Sequence, residues 1–161
     1  MSTRTSIPGS KAGSTDSISV ADFNAGPGGL IGKAKVTSNQ SSITSLVAAT
    51  GLTLTLTPNA SRDIKIVAVL EMSAATASGQ YQIVILKDGT QIARTDVAYA
   101  PLTANLAIGG RCEALDESPT NASHTYSVSV GQSGGDVNTW TLVASSTVPA
   151  SLKVEDVGST F

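Results

Sequence analysis

Leu52-Thr53-Leu54-Thr55-Leu56-Thr57 alternates apolar and hydroxyl side chains without a break, and this period of two constrains the fold more than any other feature of the 161-residue chain. Successive side chains of an extended strand point to opposite faces, so the leucines share one face and the threonines the other. That is the pattern of a half-buried antiparallel strand. Tyr81-Gln82-Ile83-Val84-Ile85-Leu86 and Tyr126-Ser127-Val128-Ser129-Val130 carry the same β-branched and aromatic enrichment. Weaker versions at 31–38, 43–48, 64–72, 91–98, 105–114, 139–144 and 152–157 bring the expectation to about ten short strands.

Turn residues separate these runs. Asp88-Gly89 sits between two of them, and both residues tolerate the positive φ of a tight type I′ hairpin. Thr57-Pro58-Asn59-Ala60-Ser61, Glu117-Ser118-Pro119-Thr120-Asn121 and Gly131-Gln132-Ser133-Gly134-Gly135 punctuate further loops. No segment sustains a helical period, and the alanine-rich Met72-Ser73-Ala74-Ala75-Thr76-Ala77 is too short for one, so it is expected to be a loop. The expected fold is all-β, an antiparallel jelly-roll-like sandwich with an extended N-terminal arm.

The arm is residues 1–29, where Ser, Thr, Gly and Pro dominate and Gly26-Pro27-Gly28-Gly29 closes the segment. Such a composition cannot bury enough apolar surface to fold alone. Its isolated apolar residues, Ile7, Ile18, Val20 and Phe23, are the expected partner-binding residues. Residues 30–161 form the expected sandwich domain.

Charged residues make up only 14% of the chain against a globular norm of about 25%, with Ser, Thr, Ala and Gly in their place. The basic residues are scattered from Arg4 to Lys153 with no run beyond Lys33/Lys35, and the six aromatics do not interleave with them, which argues against nucleic acid as a partner. Neither a signal-peptide pattern nor a bilayer-length apolar run is present, so synthesis in a cytoplasm and no membrane partner are expected. Cys112, the only cysteine, excludes an intrachain disulfide and is expected to be a small buried apolar residue.

Catalytic and metal chemistry find little footing. His124 is the only histidine, which with a lone cysteine leaves zinc without ligands. It could complete a Ser-His-Asp arrangement only by chance pairing among many hydroxyls, since no Gly-x-Ser-x-Gly elbow exists. Gly32-Lys33 lacks the upstream glycine and the following Ser or Thr of a phosphate loop, and Lys33 needs no role beyond a solvent-facing strand position. Glu113-Ala114-Leu115-Asp116-Glu117 and Glu155-Asp156 lack the spacing of a calcium loop. No catalytic residue, metal or cofactor is expected, and the chain is not expected to be an enzyme.

Several stretches resemble small accessory virion proteins of tailed bacteriophages, particularly minor tail proteins of actinobacterial phages. They are Gly29-Leu30-Ile31-Gly32-Lys33-Ala34-Lys35-Val36-Thr37-Ser38-Asn39-Gln40, Gly109-Gly110-Arg111-Cys112-Glu113-Ala114, His124-Thr125-Tyr126-Ser127-Val128 and the terminal Val148-Pro149-Ala150-Ser151-Leu152-Lys153-Val154-Glu155-Asp156-Val157-Gly158. The resemblance covers most of Gly29 to Gly158 and implies a jelly-roll structural protein displayed on a virion, assembling as a homotrimer and held to other virion proteins through its arm. A tail-associated protein is the first expectation. A capsid-decoration or head-fibre protein, or an adhesin module binding host-surface carbohydrate, are the alternatives.

Overall fold

A computed structural model describes residues 28–59, 62–76, 78–101, 103–117 and 119–158. Among them lie ten strands, β1 (Gly29–Val36), β2 (Gln40–Ile43), β3 (Val47–Leu56), β4 (Asp63–Ala74), β5 (Gly79–Lys87), β6 (Thr90–Tyr99), β7 (Ile108–Asp116), β8 (His124–Gln132), β9 (Trp140–Val143) and β10 (Ala150–Gly158), and no helix. All pairings are antiparallel.

Eight of the strands build the two faces of a jelly roll. One sheet runs β1-β10-β4-β7 and the other β3-β8-β5-β6. Short β2 and β9 extend the first sheet, because β10 occupies one edge of the long β4 over Asp63–Val69 and β9 continues along it over Glu71–Ala74. At the two long sides of the sandwich, β1 packs near β3 and β6 near β7.

The alternation read from the sequence fixes which faces meet. Leu52 is wholly buried and Leu54 and Leu56 pack against the core, while Thr53 and Thr55 stand outside. Ile64, Ile66, Ala68, Leu70 and Met72 of β4 face Tyr81, Ile83 and Ile85 of β5 and Tyr126, Val128 and Val130 of β8 within a single cluster. Burying branched and aromatic side chains of this size contributes about 1.5–3 kcal/mol each before the entropy of ordering them is subtracted. The Asp88-Gly89 turn is a two-residue hairpin with φ of 50° and 80°, as its residues require.

Three boundaries differ from expectation. The segment 43–48 is not one strand: β2 ends at Ile43 and β3 begins at Val47, with a corner prepared by Ser42 at a φ of 63°. Met72, Ser73 and Ala74 are not loop but the end of β4, where pairing with Leu142, Thr141 and Trp140 of β9 overrides their weak strand propensity. Asn105, placed by the sequence at the start of a strand, lies in a turn at a φ of 63°, and β7 opens at Ile108. Cys112 is buried at 1% exposure, and burial pushes its thiol pKa up. Its role as a small core residue is as expected.

Candidate functional site

Three polar centres stand out on this scaffold, and each is built from segments far apart in sequence. The first fastens the entry of the chain into the sandwich. Asp156, only 5% exposed on β10, accepts a hydrogen bond from Arg62 Nε at 2.6 Å and from the Gly158 amide at 3.0 Å. The Gly28 amide also donates to it. Burial alone would raise this carboxyl's pKa, but the guanidinium and the two amides hold it below the usual carboxylate range. Gly28 approaches so closely that a Cβ there would stand 2.8 Å from the carboxylate oxygen. One carboxylate thus ties together the root of the N-terminal segment, the loop before β4 and the end of β10.

The second centre is at the β5–β6 hairpin. Asp88 accepts the Thr125 amide at 2.7 Å and lies 2.6 Å from His124 Nδ1, while His124 Nε2 lies 2.9 Å from Thr120 Oγ1. These bonds, led by the Thr125 amide, lower the Asp88 pKa. The connectivity is that of a hydroxyl-imidazole-carboxylate relay, which the sequence offered only on paper. It stands on an exposed turn, with Thr120 and Asp88 both in solvent, rather than in a cleft that could orient a substrate. Its evident work is to pin the hairpin turn to the start of β8.

The third is an open groove of about 450 Å³ at one end of the sandwich, lined by residues of the β4–β5 and β8–β9 connections, among them Thr76, Gln80, Asp136 and Asn138. Its polar groups are largely committed to each other. Asp136 accepts the Gln80 and Asn138 amides at 2.8 Å each, and Asn138 binds Thr76 Oγ1 at 2.7 Å and the Ser78 carbonyl at 2.8 Å. Tyr81, Tyr99 and Trp140, the aromatics a sugar ring would stack on, are all at most 1% exposed. Val137, 91% exposed, is the apolar side chain at the rim.

Of the acidic residues weighed as metal ligands, Glu113, Asp116 and Asp156 are held in ion pairs. Glu113 pairs with Arg111 and Lys65, and Asp116 takes Lys87 Nζ at 2.7 Å together with the Tyr126 hydroxyl at 2.6 Å, bridging the two sheets. Among the described residues no group of three or more His, Cys, Asp or Glu side chains is placed to hold a metal ion. Ile7, Ile18, Val20 and Phe23, the sequence's partner-binding residues, lie outside the described residues, as does most of the 1–29 arm. The Asp156 centre was missed by sequence reasoning, which weighed Glu155-Asp156 only against the spacing of a calcium loop. Alternation along β10 was the signal that could have found it, since it places Asp156 on the same inward face as Leu152 and Val154.

No family model matches the chain, and no curated protein matches it. Solved structures with partial similarity are of mixed kind. An aminopeptidase from the marine sediment archaeon Thaumarchaeota archaeon is 10% identical over 68% of this chain, with a TM-score of 0.47. This chain spans about a quarter (26%) of that enzyme. The EclA C-terminal domain, a sugar-binding protein, is 12% identical over 76% of each chain at a TM-score of 0.38. A subunit of Bacillus endospore appendages, disulfide-linked pili, is 15% identical over 81% of this chain and 91% of its own at 0.37.

Proposed function

We propose that the chain is a non-enzymatic structural protein of a bacteriophage virion, a tail-associated jelly roll that assembles as a homotrimer and is attached to the particle through its N-terminal segment. The observation that carries this is the Asp156 centre. A carboxylate buried in the body holds Gly28, the residue at which the N-terminal segment joins the sandwich. The Ser/Thr-rich N-terminal segment offers a partner surface Ile7, Ile18, Val20 and Phe23 as its apolar contacts.

The outer face of the β3-β8-β5-β6 sheet suits contact between copies. Thr53 faces Ser127 and Thr55 faces Thr125 across the strands, the latter pair hydrogen-bonded at 3.0 Å. These small neutral side chains carry little desolvation or repulsion penalty for close approach. The capsid-decoration alternative uses the same parts and differs only in location. The adhesin alternative is disfavoured by the burial of the aromatics beside the groove.

Removing residues 1–27 is expected to leave a folded, self-associated body that is lost from purified particles in a complementation assay, with immunogold labelling showing the full chain along the tail. Incorporation of the truncated chain at the full-length level would overturn the role given to the arm. Labelling of the capsid shell would transfer the protein to the decoration class.

A further inference from the structure

Eight lysines and arginines fall among the described residues, and five of them, Arg62, Lys65, Lys87, Arg94 and Arg111, sit in ion pairs. The three that form no ion pair there, Lys33, Lys35 and Lys153, are neighbours. Lys33 on β1 is the direct cross-strand partner of Lys153 on β10, and Lys35 follows on the same face of β1 opposite Ser151. Directly opposed side chains have Cβ atoms about 5 Å apart, and like charges so placed destabilise the sheet.

The rest of that face points the same way. The charged residues at outward positions of the β1-β10-β4-β7 sheet are Lys33, Lys35, Lys65, Arg111 and Lys153 against Asp63, Glu71, Glu113 and Glu155, five against four. The chain as a whole is formally −2. On or at the rim of the same sheet lie exposed apolar side chains, Leu30 at 56%, Leu115 at 53%, Val69 at 41% and Val157 at 40%. Exposed aliphatic side chains beside ammonium groups that form no ion pair in the chain offer a protein partner both apolar contact and charge complementarity. A nucleic-acid track would instead want aromatic platforms or a continuous basic groove.

We infer that this outer face docks an acidic protein surface, whose carboxylates neutralise Lys33, Lys35 and Lys153 while its apolar residues cover Leu30, Val69 and Leu115. The inference stands independently of whether that partner belongs to a virion. A lysine pair opposed across β1 and β10 costs the isolated sheet stability, and a carboxylate-bearing partner turns the repulsion into ion pairs.

Calorimetric titration of the full chain with poly-L-glutamate at low salt is expected to show binding that fades as salt rises. The Lys33→Gln/Lys35→Gln/Lys153→Gln variant should bind about tenfold more weakly, the size of three exposed ion pairs together. Arg94→Gln, on the opposite sheet, should bind as the parent does. The single Lys153→Gln variant should melt at or above the parent temperature at low salt, which separates lost binding from lost folding. Equal binding by the triple variant, absence of poly-L-glutamate binding at low salt, or displacement of poly-L-glutamate by equimolar heparin or duplex DNA would each overturn the assignment to an acidic protein.

Discussion

Trp140→Ala is expected to lower the unfolding free energy by about 3–5 kcal/mol, a large share of the roughly 5–15 kcal/mol that holds a domain of this size folded. Trp140 is wholly buried on a strand of only four residues, and it packs against Tyr81 and Tyr99 at ring-centroid distances of 5.3 and 5.0 Å. The Tyr99 ring meets it nearly edge-on at 82°. Such pairs add about 0.5–1.5 kcal/mol beyond the area they bury. The two tyrosines are themselves fixed from behind, Tyr99 by its hydroxyl donating to the Leu106 carbonyl at 2.8 Å and Tyr81 to the Ile108 carbonyl at 3.0 Å. They cannot collapse into the space an alanine would leave, so the cavity persists. Urea unfolding followed by far-ultraviolet circular dichroism measures the loss, and a change below about 1 kcal/mol would show that this cluster does not close the end of the sandwich.

Asp156→Asn is expected to cost about 3–5 kcal/mol, because it leaves the buried Arg62 guanidinium facing a neutral group. Arg62 and Asp156 have side chains 9% and 6% exposed and meet at 2.6 Å. The pH dependence follows from the direction of the shift. Asp156 titrates below its unfolded value, so its contribution is complete above the unfolded carboxylate pKa of about 3.9 and is lost as pH falls through the lower folded value. In the Asn variant this part of the acid limb should vanish, leaving a shallower decline of melting temperature below pH 4. A variant that melts within about 1 kcal/mol of the parent and keeps the same acid limb would remove Asp156 as the fastening of Gly28.

The sandwich was legible where side-chain period and backbone agreed. Leu52 to Thr57 could not alternate as it does and be anything but a strand with one wet face, and Asp88-Gly89 could join its neighbours only by a two-residue turn. The corner between β2 and β3 was hidden because Ile43 and Val47 continue an apolar pattern straight through it, while the positive φ of Ser42 has no residue signature. The end of β4 was hidden because Ser73 and Ala74 become strand only through β9, more than sixty residues away.

The candidate sites were less legible still. Nothing near Asp156 in sequence announces Arg62. The Lys33 and Lys35 pair read as an ordinary solvent-facing strand until the register of β1 on β10 set Lys153 beside it. Local patterning carries the fold, whereas charge constellations depend on strand register, which no single segment encodes.

Self-association is the claim on which the structural role rests, and light scattering on the purified full chain at micromolar concentration measures it directly. The expected result is a single species of three times the 16.2 kDa chain mass, unchanged on dilution through that range. A monomer of 16.2 kDa under the same conditions would contradict it.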